Sequence, residues 1–249
     1  MRLTRPWTTE GTGTVRGIDE LADDRAQLGR TSTAERVADV LRARIAEGLL
    51  PPGTRLSEDR VGGALGVSRN TLREAFRLLT HERLLVHELN RGVFVRVLAV
   101  EDVTDLHRTR RLVECAVVRG LGAPPFPLDG LVGAVREGER AARVGDWRGV
   151  STANIHFHRQ LVALAGSTRT DELMRGVLAE LRLALHTVAE PRALHEPFLA
   201  RNQEILDALL AGDRVTAERL LGRYLDDSHR RILEVHAASA NEPPERTGD

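Results

Sequence analysis

The sequence predicts a mainly α-helical protein in which a small N-terminal domain with one β-hairpin precedes an all-helical antiparallel bundle. Up to residue 98, helical patterns are followed by two short apolar runs that a turn separates. From residue 101 to 236, every apolar stripe has the spacing of a helix. We therefore expect a flexible N-terminal tail at 1–30, a first domain at 31–98, the bundle at 99–238 and a flexible C-terminal tail at 239–249.

The composition excludes several classes of protein. The chain has 249 residues, of which 41% are hydrophobic and 29% charged, and its formal net charge is +0, as expected for a soluble globular protein. We expect no membrane span and no secretory signal, because no apolar run is long enough and the first residues lack an apolar segment. All 36 basic residues are arginine, which excludes Schiff-base lysines and a phosphate-loop lysine. Cys115 is the only cysteine, so an internal disulfide is excluded and a cytoplasmic location is expected.

Three helices are predicted in the N-terminal domain. The first covers 33–47, because its apolar residues recur at helical spacing and the Pro-Pro-Gly run at 51–53 stops it. Its predicted buried residues are Val37, Val40, Leu41 and Ile45. The stretch 58–77 predicts two short helices joined at Gly66, the second capped by Ser68. The apolar face of this last helix consists of Leu72, Ala75, Phe76 and Leu79.

The opposite face of the helix that follows Ser68 carries arginines and an amide. These residues are Arg69, Asn70, Arg73 and Arg77. Side chains of these types contact base edges and phosphates in a DNA major groove. A solvated surface helix has the same charged pattern, so the helix alone leaves both interpretations open.

A β-hairpin is predicted after the third helix. Apolar runs at 84–87 and 93–97 flank Asn90 and Gly92, which are typical of a turn. Three helices and a hairpin form a winged helix-turn-helix, in which Arg91 would lie at the tip of the wing and could approach a minor groove. Gly92 would let the backbone come close to DNA. From 31 to 98, eleven Arg against eight Asp plus Glu leave a mild positive excess.

The remainder of the chain predicts six helices. Gly145-Asp146 and Gly212-Asp213 combine a C-terminal cap with an N-terminal cap, which predicts tight turns between helices. Such helices pack antiparallel, and the interior of the bundle can hold a ligand or a metal. The predicted ranges are 103–119, 128–144, 146–165, 171–189, 199–210 and 213–236.

The N-terminal domain resembles the DNA-binding domain of the GntR family of bacterial transcription regulators. The motifs that carry this resemblance are Ile45-x-x-Gly48, Pro52-Gly53-x-x-Leu56, Gly66-Val67-Ser68-Arg69, Leu72-Arg73-Glu74-Ala75 and Asn90-Arg91-Gly92. The resemblance implies that DNA is contacted by Glu58, Ser68, Arg69, Asn70, Thr71, Arg73, Arg91 and Gly92, with Glu58 orienting the arginines. One departure is Asp59, where some relatives have an arginine.

The bundle resembles the FCD effector domain of the FadR-like subfamily. The carrying motifs are Arg110-x-x-x-Glu114, Asn154-x-x-x-His158 and Ile205-x-x-Ala208-x-x-x-Gly212-Asp213-x-x-x-Ala217. Many such domains bind a divalent metal through one Asp and three His. The four corresponding positions here are Asn154, His158, Asn202 and Tyr224, of which only His158 keeps its identity. An amide and a phenol are poor ligands for Zn or Ni, so we predict no metal and no other cofactor.

These four residues are instead predicted to line a pocket that binds an organic effector directly. Arg110 matches a cationic pocket position and could clamp a carboxylate. The alternatives are an ion pair of Arg110 with Glu114 and, for His158, a hydrogen-bonded core histidine. His107, His186 and His195 have no partner at metal spacing and are treated as ordinary residues.

Three functions are compared on this basis. The preferred one is a transcription regulator that binds a double-stranded DNA operator as a homodimer and is controlled by a small organic acid. Such regulators are more often repressors than activators. The second is a metal-responsive or enzymatic helical bundle, but no Glu-x-x-His pair, carboxylate pair or nucleophile motif supports it. The third is a bundle with a decayed DNA-binding domain, which the presence of Arg69, Arg73 and Arg91 disfavours. We therefore expect no enzyme activity.

Overall fold

The computed structural model describes residues 32–186 and 191–241, with side chains omitted at 186 and 236–241. The predicted mainly α class is confirmed, with a small sheet in the N-terminal domain. The tail expected at 1–30 and most of the tail expected at 239–249 lie outside these residues. Within the described part, no helix is long and apolar enough to cross a membrane.

The N-terminal domain is a winged helix-turn-helix with the elements α1 (Thr33–Ala46), β1 (Arg55–Leu56), α2 (Glu58–Leu65), α3 (Arg69–His81), β2 (Leu85–Glu88) and β3 (Gly92–Val95). The sheet has the antiparallel order β1-β3-β2, with Arg55 opposite Phe94 and Leu85 opposite Val95. Strand β1 was not predicted, because a two-residue strand has no periodicity of its own and exists only through its pairing with β3.

The core of this domain forms where α1 packs across α3. All four apolar residues predicted on α3 are buried. On α1, Val37, Leu41 and Ile45 are buried as predicted, but the prediction for Val40 was wrong because its side chain is 43% exposed. Ala34 and Ala38 are also buried and complete the apolar face of α1. Their small side chains allow α1 to approach its neighbours closely.

Among the residues that the structure describes, the second domain is a bundle of six helices: α4 (Val100–Gly120), α5 (Asp129–Arg143), α6 (Trp147–Ala163), α7 (Thr168–His186), α8 (Pro191–Leu210) and α9 (Arg214–Asn241). Helix α5 packs along α6, and α9 packs along α4 and α8. The Gly145 and Gly212 turns adopt positive φ, and the side chains of Asp146 and Asp213 accept hydrogen bonds from the next helices' backbone, as predicted.

Helix α8 differs most from the prediction, since it begins at Pro191 and not at Leu199. Pro197 lies inside it and cannot donate the hydrogen bond that the carbonyl of Ala193 would receive in a regular helix. Arg231 of α9 donates its Nη2 to that carbonyl at 2.8 Å. The side chain of a neighbouring helix thus replaces the missing backbone bond, and α8 continues through the proline.

The two domains share a packed boundary. One buried apolar cluster extends from Ile45 on α1 to Leu178 and Leu181 on α7. Arg182 of α7 donates Nε to the carbonyl of Ala46, at the end of α1, at 2.6 Å. After β3, Arg96 contacts Glu180 of α7 at 2.9 Å. Helix α7 therefore holds the N-terminal domain against the bundle.

Candidate functional site

The N-terminus of α3 is an exposed, capped helix end. Ser68 has an extended backbone, and its Oγ accepts a hydrogen bond from the amide of Thr71 at 3.2 Å. The Thr71 hydroxyl lies 2.9 Å from the same Oγ, so it takes part in the cap. Arg69 and Asn70 project from the first turn into solvent. Free backbone N–H groups and the helix dipole at this end favour an anion.

Two carboxylates from the start of α2 contact the arginines of α3. Glu58 accepts from Arg73 Nε through both carboxylate oxygens, each at 3.0 Å, and thereby orients that guanidinium as the resemblance implied. Asp59 lies 2.9 Å from Nη2 of Arg69. The departure at Asp59 therefore does not leave an isolated acid on this face but adds a second ion pair across the helix-turn-helix.

The wing places Arg91 at an exposed turn. Asn90 and Gly92 both have positive φ, at 61° and 112°, which suits Asn and Gly. Arg91 pairs with Glu88, and its guanidinium lies 5.5 Å from the centre of the Phe94 ring. A Cβ at Gly92 would come within 3.4 Å of Arg55 Nε, so Arg55 also lies at the base of the wing. The sequence pattern missed Arg55 because β1 was not predicted.

A cleft of about 610 Å³ separates α3 from the wing. Arg73, Arg77 and His81 line it from the helix, and His87 lines it from strand β2. Glu58 also lines the cleft and is paired with Arg73, so the cleft combines one carboxylate with arginine and histidine donors of the kind that contact phosphate oxygens. The predicted contact residues lie at the start of α2, at the start of α3 and on the wing, and we refer to these parts and the cleft together as the candidate DNA-contacting surface.

The second site is a buried polar network between α4 and α6. Arg110 and Glu114 are four residues apart on α4, and Arg110 Nε donates to Glu114 Oε1 at 2.7 Å. The other oxygen, Oε2, lies 2.7 Å from Nδ1 of His158 on α6. All three residues are at most 1% exposed. The alternative ion pair predicted for Arg110 is therefore present in the structure.

The protonation states of this network follow from its charges. Burial alone would raise the pKa of Glu114, but Arg110 and His158 outweigh it and lower that pKa to about 2. Burial, together with the charge of Arg110, lowers the pKa of His158 in spite of the neighbouring Glu114. His158 is thus a neutral imidazole at physiological pH, donating its Nδ1–H to Glu114. Its Nε2 is then a hydrogen-bond acceptor.

Asn154 joins three helices beside this network. Its Oδ1 accepts from Asn202 Nδ2 of α8 at 2.8 Å and from the Tyr224 hydroxyl of α9 at 2.7 Å. The ring of Tyr224 lies 4.9 Å from that of His158, centre to centre. Burial raises the pKa of Tyr224, which keeps the phenol protonated as a donor. All five residues predicted for the pocket therefore lie together in the interior of the bundle.

Three buried polar atoms at this place have no hydrogen-bond partner among the described residues. They are Arg110 Nη2, His158 Nε2 and Asn202 Oδ1. Leaving buried polar atoms unpaired costs about 1–3 kcal/mol each, so such a group calls for an explanation. The adjoining cavities are small, about 10 Å³ beside Arg110 and His158 and about 20 Å³ beside Asn154 and Asn202. Each is about the size of one water molecule.

The donor set fits a divalent metal poorly. His158 Nε2 is the one imidazole nitrogen of the four family positions, and Asn154 Oδ1 already accepts from two donors. Over the described ranges, no three His, Cys, Asp or Glu residues are grouped to hold a metal ion. Zn and Ni sites in proteins are normally built from several imidazoles, thiolates or carboxylates. The absence of a metal stays a prediction, which elemental analysis tests.

His195 was missed as a pocket residue. It lies on α8, lines both small cavities and is 6% exposed. Burial and the charge of Arg182 lower its pKa to about 4. The spacing of His195, Phe198 and Asn202 places them on one helix face, but this pattern was hidden because Pro197 suggested a later start for α8.

Comparisons with known proteins agree with this architecture. The family model for bacterial regulatory proteins, gntR family, matches residues 33–95, and the FCD domain model matches residues 105–227. A transcriptional regulator GntR of known structure from Rhodococcus sp. RHA1 is 48% identical, with a TM-score of 0.79, over 82% of this chain and 99% of that one. The D-xylose utilization operon transcriptional repressor of Paenarthrobacter nicotinovorans is 29% identical over 80% of this chain and 88% of its own length. The gluconate operon transcriptional repressor of Bacillus licheniformis is 37% identical over 38% of this chain and 39% of its own length.

These matches cover the two domains in the order in which the fold presents them. The first model ends at β3, and the second begins within α4. Proteins of this family regulate transcription by binding DNA and are not enzymes. The chain therefore belongs to the GntR family of bacterial transcription regulators and carries a C-terminal FCD domain.

Proposed function

We propose that this protein is a homodimeric repressor whose operator affinity is controlled by a small organic acid bound directly in the FCD bundle. The observation that carries the proposal is that three buried atoms, on Arg110, His158 and Asn202, have no hydrogen-bond partner within the described ranges. Buried polar atoms in a closed core are normally hydrogen-bonded within the protein, whereas polar atoms in a ligand site bind the ligand. The names of the relatives from P. nicotinovorans and B. licheniformis favour repression.

The DNA-contacting role is assigned to the start of α3 and to the wing. Arg69, Asn70 and Arg73 would enter the major groove, where Arg pairs with guanine and Asn with adenine. Ser68 and Thr71 form the cap, so their part is to present the backbone N–H groups to a phosphate. Arg91 and Gly92 would approach the adjacent minor groove. One such domain reads few base pairs, and a dimer on two half-sites supplies the remaining affinity.

The unpaired atoms define the chemistry of the ligand. Arg110 Nη2 is a cationic donor and suits a carboxylate. Its Nε is already bound to Glu114, so the carboxylate would have to meet the outer end of the guanidinium. His158 Nε2 and Asn202 Oδ1 are acceptors and suit hydroxyl groups of the ligand. These three atoms together favour a carboxylate that also carries hydroxyl groups.

Helix α7 is the element through which the pocket would affect DNA binding. Leu181 and Leu185 line the cavity beside His158, while Glu180 and Arg182 of the same helix contact the N-terminal domain. A cavity of about 10 Å³ cannot hold an organic acid, so binding must move a lining helix. Movement of α7 would shift the Arg182–Ala46 contact and with it the placement of the DNA-binding domain. The coupling is reciprocal, so DNA must weaken effector binding equally.

The DNA-binding part is tested by enrichment of duplexes from a randomised library with the full-length protein. We expect a specific sequence, a steep dependence of its affinity on salt, and loss of sequence preference in Arg69→Ala. Preference retained in that variant would remove Arg69 from base readout. Failure of the wild-type protein to enrich any sequence would contradict the regulator function.

The effector part is tested with a panel of mono-, di- and hydroxycarboxylic acids against the enriched duplex. We expect at least one acid to weaken DNA binding and to raise the melting temperature of the free protein. His158→Ala should lose both responses and still bind DNA. The matched control is His156→Ala, because His156 lies on the same helix but is half-exposed and paired with Glu137. An unchanged response in His158→Ala would contradict the assignment of the pocket.

A further inference from the structure

Four arginines of the candidate DNA-contacting surface each pair with a carboxylate of the same domain. Two pairs link α3 to α2, one lies within α3 and one lies in the wing. In the free protein this set of eight side chains has four positive and four negative charges and is electrically neutral. The pairs are Arg69–Asp59, Arg73–Glu58, Arg77–Glu74 and Arg91–Glu88.

The geometry of the pairs separates two roles. Glu58 binds Arg73 at Nε, on the inner side of the guanidinium, and so leaves the outer end directed away from it. Asp59 instead binds Arg69 at Nη2, an outer donor of the kind that meets guanine O6 and N7. Asp59 must therefore release this nitrogen before Arg69 can use it on DNA. Glu58 orients its arginine, whereas Asp59 competes with the ligand of its arginine.

We propose that Asp59, supported by Glu88 on the wing, determines specificity by suppressing binding to non-specific DNA. Affinity for random sequence comes almost entirely from arginine and lysine neutralising phosphates. An arginine that is already paired with a carboxylate contributes no net charge to that attraction. A bidentate contact of Arg69 with guanine can offset the loss of the Asp59 pair, since such contacts discriminate against other bases by about 1–3 kcal/mol. A mobile contact with a phosphate offsets less of that loss.

Exposure of the pair supports this role. The side chains of Arg69 and Asp59 are 71% and 73% exposed, so the ion pair is weak and exchanges readily. The pair adds little to folding, and its removal is not expected to disturb α2 or α3. Its effect is expected in DNA binding and not in stability. The inference rests on the proposed DNA-binding function but concerns a residue outside the predicted contact set.

The test compares Asp59→Asn with wild type on two probes, a short duplex of random sequence and the duplex enriched by wild type. We expect the random duplex to bind about two- to fivefold more tightly, as removal of one exposed charge pair suggests. The slope of log affinity against log salt should become steeper by up to about 0.9 for the one arginine released. Affinity for the enriched duplex should change less, so the ratio of specific to non-specific affinity should fall.

Two further variants test whether the effect belongs to the candidate DNA-contacting surface or follows from net charge alone. Glu88→Gln should repeat the effect at the wing. Asp226→Asn is the matched control, because Asp226 forms an exposed pair with Arg111 at 2.8 Å that lies in the bundle and not in the N-terminal domain. The control should leave the specificity ratio unchanged.

The proposal is overturned if Asp59→Asn leaves random-sequence affinity unchanged, or if Asp226→Asn raises it equally through net charge alone. It is also overturned if only the enriched duplex binds more weakly, because Asp59 would then accept directly from a cytosine amine. These outcomes all require an enriched duplex. A wild-type protein that enriches none would instead contradict the DNA-binding function itself, so the two failures are distinguishable.

Discussion

Replacing Glu114 by glutamine should be the most destabilising single-atom change in the bundle. The variant keeps the size and one carbonyl oxygen of the side chain but removes the negative charge between Arg110 and His158. Glu114 is 0% exposed and lies 2.7 Å from each partner. The guanidinium of Arg110 would then be a buried cation without a counter-charge.

The structure sets the size of this effect. The pKa of Glu114 is lowered from 4.5 to about 2, which corresponds to about 3 kcal/mol in favour of the charged form when one pKa unit is about 1.4 kcal/mol. Because the pKa is depressed on folding, this stabilisation is complete above pH 4.5 and is lost as the pH falls towards 2. Breaking a buried ion pair by removing one partner costs about 3–5 kcal/mol. We expect a loss of that order for Glu114→Gln at neutral pH.

The assay is urea unfolding followed by far-ultraviolet circular dichroism at fixed protein concentration. The control is Glu196→Gln, since Arg192 and Glu196 form the same i,i+4 pair on the surface of α8, where its loss should change stability little. The double variant Arg110→Met, Glu114→Gln should lose less stability than the sum of its two single changes, because no uncompensated charge remains. Additive losses, or a Glu114→Gln variant as stable as the surface control, would refute the reasoning.

Three other predictions concern pH, the domain boundary and metal content. Burial lowers the pKa of His107 to about 3 and that of His195 to about 4, so the unfolded state binds more protons than the folded state below pH 6.5. The free energy of unfolding should therefore fall by about 2 kcal/mol for each of these two histidines between pH 6.5 and 5. In urea titrations at several pH values, His107→Asn should reduce the slope of stability against pH by the share of one proton. Arg182→Gln should remove the contact with Ala46. The variant should still bind the effector in calorimetry, but the effector should weaken its binding to the duplex less than it does in wild type. An effector response as large as that of wild type would contradict the role of α7. Elemental analysis of protein purified without chelators should find less than stoichiometric zinc or nickel, and a full equivalent would show that Asn202 and Tyr224 tolerate a metal.

The local structure of the N-terminal domain could be predicted because its signals are local. Ser68 caps the helix it precedes, and Gly66 has the positive φ of a helix C-terminus. The stripe of α3 is buried as its spacing predicts. Strand β1 and the exposure of Val40 depend on partners that are distant in sequence. No periodicity within a few residues contains that information.

The pocket shows the same division. Arg110 and Glu114 share a helix face, so their pairing could be anticipated from their spacing. The remaining contacts join different helices and depend on how α4, α6, α8 and α9 pack. The resemblance supplied Asn154 and Asn202 where spacing alone could not. It did not supply His195, because the effect of Pro197 depends on Arg231 from another helix.

Because α1 and α7 share one core, the N-terminal domain is expected to fold together with part of the bundle and not as the segment that the GntR family model matches. The GntR model ends at residue 95, yet Ile45 belongs to one continuous buried cluster with Leu178 and Leu181. Cutting the chain near residue 98 would expose that apolar surface and remove the cap that Arg182 provides at the end of α1. The winged helix-turn-helix domain is thus packed against the bundle and is not an independent domain on a flexible linker. An exchange of effector domains between relatives would have to carry the matching surface of α1 along with it.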